Sequence, residues 1–124
     1  MDNRLTFNKS ERISLQREID SLFKQGKAFT SYPLRVVYLE QKPSSGATVS
    51  ILVSVPKKKF KRAVKRNRMK RLIKEAYRLN KSSLIENYKE KESGLLIAFI
   101  FIGDELGGWK EIEAAMQKTL SLLK

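Results

Sequence analysis

The residues best suited to chemistry in this sequence form one basic run, residues 57–78. The run holds seven Lys and five Arg against Glu75 alone, so it carries +11 of the formal net charge of +13. Lys and Arg at this density bind phosphate groups, and the Arg guanidinium can grip a phosphate with two hydrogen bonds. The run therefore predicts a polyanionic partner, with nucleic acid as the first choice and an acidic membrane surface as the second.

The sequence contains few of the residue types that side-chain catalysis uses. The 124 residues include no Cys and no His, which excludes disulfides, zinc ribbons, thiol catalysis and the Ser-His nucleophile systems. The close acidic pairs are Asp104–Glu105 and Glu90/Glu92, and both have the character of turn or solvated residues. A self-sufficient nuclease needs clustered carboxylates for magnesium. We therefore predict no catalytic residue and no metal site within the protein itself.

The basic run also has helical periodicity. At 100° per residue one apolar stripe is made by Met69, Leu72, Ile73, Ala76 and Leu79. The side opposite this stripe is cationic, so the helix is predicted to pack on a sheet and to present its cations to solvent. A solvated face and a membrane helix are the alternatives; complete segregation of charge disfavours the first, and a core-like apolar stripe disfavours the second. The predicted RNA-binding residues, with the preceding loop, are Lys57, Lys58, Lys59, Lys61, Arg62, Lys65, Arg66, Asn67, Arg68, Lys70, Arg71, Lys74 and Arg78.

Five further elements and a short helical piece position this helix, which is predicted over Arg62–Leu79. A first helix begins with Ser14 as its N-cap and ends at Gly26. Leu34–Leu39 and Thr48–Val55 read as two strands of an antiparallel hairpin around the turn Pro43–Gly46. After the basic helix come a short helical piece near Leu84–Tyr88, a strand over Leu95–Ile102 that is buried on both faces, and an amphipathic helix from Trp109. Leu5–Phe7 is a candidate edge strand.

The order helix, strand, strand, helix, strand, helix predicts a single-domain α+β fold, an α–β sandwich over residues 1–124. The N-terminal residues show no signal peptide, and the longest apolar run, of eight residues, is too short to cross a bilayer. The expected compartment is the cytoplasm.

The segment Ala63-Val-Lys-Arg66-Asn67-Arg68-Met-Lys70-Arg71 closely resembles the Arg-Asn-Arg signature of the bacterial ribonuclease P protein subunit. The strand that ends Val53-Ser54-Val55-Pro56 and the helix that closes at Phe23-Lys-Gln-Gly26 also resemble that family, and the similarity covers nearly the whole chain. Two departures are visible. The stretch Lys59–Arg62 is longer than usual, and Ile19 stands where an aromatic residue is common.

The resemblance implies a subunit that assists a catalytic RNA in removing the 5′ leader from precursor tRNA. Magnesium would serve the holoenzyme and be held mainly by the RNA. The partners would be the catalytic RNA subunit and precursor tRNA, with no membrane and no obligate protein partner. The implied fold places the basic helix in a left-handed crossover between parallel strands, although chain statistics favour a right-handed one.

The resemblance further implies a cleft beside the sheet for the single-stranded leader. Arg35 is awkward in a core, so it marks the more open face of the first predicted strand, and polar Ser residues mark the matching face of the second. Rings, apolar groups and cations in one groove suit stacked bases and phosphates. The predicted cleft residues are Ile19, Phe23, Arg35, Val37, Ser50, Leu52 and Ser54. Phe23 and Val37 could equally be ordinary core residues, and a non-catalytic ribosomal or ribosome-assembly protein remains the alternative function.

Overall fold

A computed structural model describes residues 7–58, 60–103 and 108–124. The elements are α1 (Gln16–Gln25), β1 (Lys27–Ser31), β2 (Leu34–Leu39), β3 (Val49–Ser54), α2 (Ala63–Asn80), α3 (Ser82–Glu90), β4 (Leu95–Phe101) and α4 (Trp109–Leu123). The predicted α+β class and all six predicted elements are confirmed, as is the short helical piece. β1 was not predicted, because its sequence lacks the apolar alternation of the other strands.

The four strands form one sheet in the order β1-β2-β4-β3. β2 is antiparallel to β4, and β3 is parallel to β4, so the predicted β2–β3 hairpin is wrong. The apolar β4 lies between the two strands because it is the one strand among the described residues with almost every side chain buried. The parallel strands β3 and β4 are joined through α2 and α3, which confirms a crossover through the basic helix; its left hand stays a prediction.

The sheet separates two apolar clusters. The larger one, here the helix-side core, packs α2, α3 and α4 against one face and includes Val36, Ile73, Phe99 and Met116. The smaller one, here the α1-side core, lies on the other face and consists of Ile13, Leu22, Val37, Leu96 and Ala98. The protein is thus layered as α1, sheet, and three helices.

α1 lies close to the sheet at its C-terminal end. The Gly26 amide donates to the Leu22 carbonyl and ends the helix, as predicted. A side chain at Gly26 would collide with the Leu22 and Tyr38 carbonyl oxygens. The start differs from the prediction, because the N-cap position is Leu15 and not Ser14.

The N-terminal segment, residues 7–15, covers the outer edge of β3. The Ile13 amide donates to the Ile51 carbonyl at 2.9 Å, and Arg12 forms an isolated parallel bridge with Ile51. This pairing keeps the chain extended after the 3-10 turn Lys9–Glu11 and delays the start of α1. Of the candidate edge strand Leu5–Phe7, residues 5 and 6 lie outside the described residues and Phe7 belongs to no strand.

α2 buries Met69, Ile73, Ala76 and Tyr77. Leu79, which periodicity placed on the apolar stripe, is 41% exposed, so that part of the prediction is wrong. Tyr77 is buried in place of Leu79, and the Phe7 ring packs edge-on against the Tyr77 ring at 6.1 Å between centroids. The N-terminal segment therefore contributes to the burial of Tyr77 near the end of α2.

Candidate nucleic-acid interface

The side of α2 that faces away from the core is almost entirely cationic. Exposed or partly exposed positions on the helix are Lys65, Arg66, Asn67, Arg68, Lys70, Arg71, Lys74 and Arg78. The helix is held by its buried apolar residues, so most of these side chains need no role in packing. Successive residues of the helix rise by about 1.5 Å along its axis, so the cations form a rigid row. Such a row suits a chain of phosphates.

The loop before α2 is fixed from both sides. The Arg66 Nη1 atom donates to the carbonyls of Phe60 and Lys61, each at 2.7 Å. The Phe60 ring is buried and lies 5.8 Å from the Phe101 ring, so it docks the loop and is not free to stack on a base. Lys57, Lys58, Lys61 and Arg62 are exposed on this anchored loop, and Lys59 lies outside the described residues.

Arg66 and Arg78 differ from the other cations because the protein already uses them. Arg66 bonds the loop, as above. Arg78 Nε donates to Glu75 Oε2 at 3.1 Å, and a second, shorter contact joins Arg78 Nη2 to Glu75 Oε1. This hydrogen bond lowers the pKa of Glu75, so the carboxylate stays ionised and neutralises part of the charge of Arg78.

The predicted cleft residues on the strands do share one face of the sheet. The register aligns Arg35 with Ile100 and Ile100 with Ser54 in one row across β2, β4 and β3. The next row holds Val37, Ala98 and Leu52. Arg35 is exposed and Ser54, Leu52 and Ile100 are partly exposed, so the face opens toward the Arg35 row. We call this exposed region the open sheet face.

The other end of the same face is covered. Val37 belongs to the α1-side core, and the Ser50 side chain is fully buried. Ser50 Oγ donates to the Ser10 carbonyl at 2.8 Å and thereby ties the N-terminal segment to β3. Val37 and Ser50 therefore stabilise the fold. A ligand on this face would contact their more exposed neighbours.

α1 borders the open sheet face with residues of different exposure. Ile19 is partly buried against the α1-side core. Phe23 is 47% exposed and belongs to neither core, so the core interpretation of Phe23 is not supported. An exposed ring on a helix that packs against this face of the sheet can stack on a base without rearrangement.

Sequence reasoning missed three positions on this face. Thr30 of β1 pairs with Arg35, and Ala28 pairs with Val37, so β1 extends both rows. Both are exposed. Ile100 was expected to be buried with the rest of its strand, but it is partly exposed. No local pattern in residues 27–31 signals this arrangement, since it depends on the pairing of β1 with β2.

Within residues 7–58, 60–103 and 108–124, no three Asp or Glu side chains come together as a metal site would require. Among the same residues, no helix has the length and apolar character to cross a membrane.

Comparison with known proteins decides the family. The sequence model of the family described as Ribonuclease P matches residues 7–121. The chain belongs to the ribonuclease P protein family. It is 52% identical over 113 residues to the ribonuclease P protein component of Porphyromonas gingivalis, which covers 91% of this chain and 82% of that one. The component from Clostridium botulinum is 34% identical over 116 residues, 94% of each chain.

Solved structures of ribonuclease P proteins share the fold. The Staphylococcus aureus protein superposes with a TM-score of 0.73 at 21% identity, over 94% of this chain and 97% of that one. The Thermotoga maritima protein superposes with a TM-score of 0.72 at 22% identity, over 92% and 98%. These structures establish the fold, whereas the role in tRNA processing follows from the family and from the 52% identical relative, and the ribosomal alternative is not favoured.

Proposed function

We propose that this chain binds the catalytic RNA of ribonuclease P through α2 and its preceding loop, and the single-stranded 5′ leader of precursor tRNA through the open sheet face. The observation that carries the proposal is the separation of two surfaces of different chemistry. α2 presents cations at nearly every outward position, whereas the open sheet face combines Phe23, apolar strand residues and Arg35.

The two surfaces suit different forms of RNA. A row of cations on a rigid helix matches the closely spaced phosphates of folded RNA and does not read bases. A half-exposed ring on α1, together with Leu52, Ile100 and Arg35 on the sheet face against which α1 packs, matches unpaired nucleotides, whose bases can stack while their phosphates meet a cation. A leader is single-stranded, so it is the part of precursor tRNA that fits this face.

Catalysis is assigned to the RNA. In this proposal the magnesium ion required by the holoenzyme is held mainly by the RNA. The protein strengthens substrate binding and screens the repulsion between RNA phosphates. The expected compartment is the cytoplasm, and no membrane or obligate protein partner is part of the proposal.

The experiment is cleavage of precursor tRNA at moderate magnesium by the purified chain, by its cognate catalytic RNA, and by both together. We expect no specific cleavage by the chain alone and stronger leader removal by the mixture than by the RNA alone at physiological salt. Specific leader removal by nuclease-free protein without RNA would refute the mechanism, as would a mixture no more active than the RNA.

A further inference from the structure

The N-terminal segment places one more cation beside α2. Arg12 is exposed and is held in position by its bridge to Ile51. Its guanidinium carbon lies 5.2 Å from the centre of the Phe7 ring, and that ring packs against Tyr77 of α2. Tyr77 lies one helical turn from Lys74, so the segment brings Arg12 to the side of α2 that carries Lys70 and Lys74.

The acids nearest to these cations in sequence are already engaged. Lys81 Nζ contacts Glu11 Oε1 at 2.7 Å and Oε2 at 2.8 Å, so Glu11 pairs with Lys81 and not with Arg12. Glu75 is held by Arg78. Among the residues that the structure describes, Arg12, Lys70 and Lys74 form no ion pair.

The three cations affect one another. Burial lowers the pKa of Lys74, and the positive charges of Arg12 and Lys70 lower it further. Three mutually repelling cations cost stability unless an anion binds among them. The fold nevertheless fixes Arg12 through the Glu11–Lys81 pair, the Ile51 bridge and the Phe7 ring, which makes the cluster preorganised for an anion.

We propose that Arg12, Lys70 and Lys74 form one phosphate-binding site, in which the N-terminal segment completes the cationic surface of α2. The ligand is a backbone phosphate of RNA. Each of the two non-bridging oxygens of a backbone phosphate can accept more than one hydrogen bond, so one phosphate can bind an Arg fork and two ammonium groups at once. The inference rests on the proposed function and adds a residue outside the basic run.

The test measures binding of the chain to its catalytic RNA at several salt concentrations. The variants are Arg12→Gln, Arg12→Lys, Lys70→Gln, Lys74→Gln and the double variant Arg12→Gln/Lys74→Gln. Lys118→Gln is the matched control, because Lys118 is an exposed cation on α4 that lies near Ser31 and Pro33 at the turn between β1 and β2. Thermal unfolding of each variant shows whether the fold is kept.

We expect Arg12→Gln to reduce the slope of log affinity against log salt by about one unit and Arg12→Lys to restore it. The double variant should weaken binding by less than the product of the single effects, because both residues hold the same phosphate. Lys118→Gln should keep the wild-type slope. A companion titration with precursor tRNA, using holoenzyme made with each variant, shows which of the two RNAs supplies the phosphate.

Two results separate the inference from the function beneath it. If Lys70→Gln reduces the slope and Arg12→Gln leaves it unchanged with both RNAs, the Arg12 site is refuted and RNA binding by α2 stands. If none of the α2 or Arg12 variants changes the slope or the affinity, the proposed function fails as well. Multiplicative effects of Arg12→Gln and Lys74→Gln would refute a shared phosphate.

Discussion

Replacement of Phe23 by Ala should weaken binding of the leader while leaving mature tRNA almost unaffected. The ring is 47% exposed at the C-terminal end of α1 and belongs to neither core. Stacking of one base on an aromatic ring is worth about 1–3 kcal/mol, which corresponds to a loss of about 5- to 150-fold in affinity. The holoenzyme should therefore lose about this factor for a precursor with several leader nucleotides.

The same exposure sets the cost to the fold. Truncation of a fully buried Phe costs about 3–5 kcal/mol. About half of this ring is already in water, so the cost in unfolding free energy should be about 2 kcal/mol. Leu122→Ala is the matched control, because Leu122 is 61% exposed on α4, which packs against the opposite face of the sheet.

The assay compares dissociation constants for precursor and mature tRNA, with unfolding measured on the same samples. Phe23→Leu keeps apolar bulk without a ring and should lose leader preference as Phe23→Ala does, whereas Phe23→Trp should keep it. If the precursor-to-mature ratio is the same in Phe23→Ala and wild type, the ring does not contact the leader. A stability loss of 3–5 kcal/mol together with an unchanged ratio would make Phe23 a packing residue.

Three further substitutions test cations with different roles: one exposed on α2, one bonded to the preceding loop and one paired with Glu11. Arg71→Gln removes an exposed cation of α2, so the salt slope of RNA binding should fall by about one unit with no change in the unfolding midpoint; an unchanged slope would mean that Arg71 meets no phosphate. Arg66→Ala removes both bonds to the loop carbonyls, so chemical denaturation should show a loss of about 1.5–3 kcal/mol, the range for hydrogen bonds to a charged group, and amide exchange in residues 57–62 should accelerate; wild-type stability would show that the loop does not need Arg66. Lys81→Ala leaves Glu11 without its partner, and because the side chains are 1% and 13% exposed, unfolding free energy should fall by about 3–5 kcal/mol; a loss below about 1 kcal/mol would show that the pair does not hold the N-terminal segment.

Much of the candidate site was predictable because it depends on local rules. The outward cations of α2 follow from 3.6-residue periodicity, and the shared face of Arg35 and Leu52 follows from strand alternation. The internal bonds of Arg66 and Ser50 were not predictable, since their acceptors, the carbonyls of Phe60, Lys61 and Ser10, are backbone groups that no sequence pattern marks.

The sequence by itself determined the class of partner and the family. Net charge depends on composition alone, and its concentration in residues 57–78 depends on the order of residues along the chain. The Arg66-Asn67-Arg68 block is a local motif. None of these features depends on how the chain folds back on itself. The tertiary structure alone decided which strands are neighbours. Alternation shows which side chains share a face but not which strand lies alongside, so β3 was assigned to β2 when it pairs with β4. Pairings across long stretches of chain also added β1 to the open sheet face and brought Arg12 beside Lys74, because such contacts are chosen by total burial and hydrogen bonding over the whole molecule.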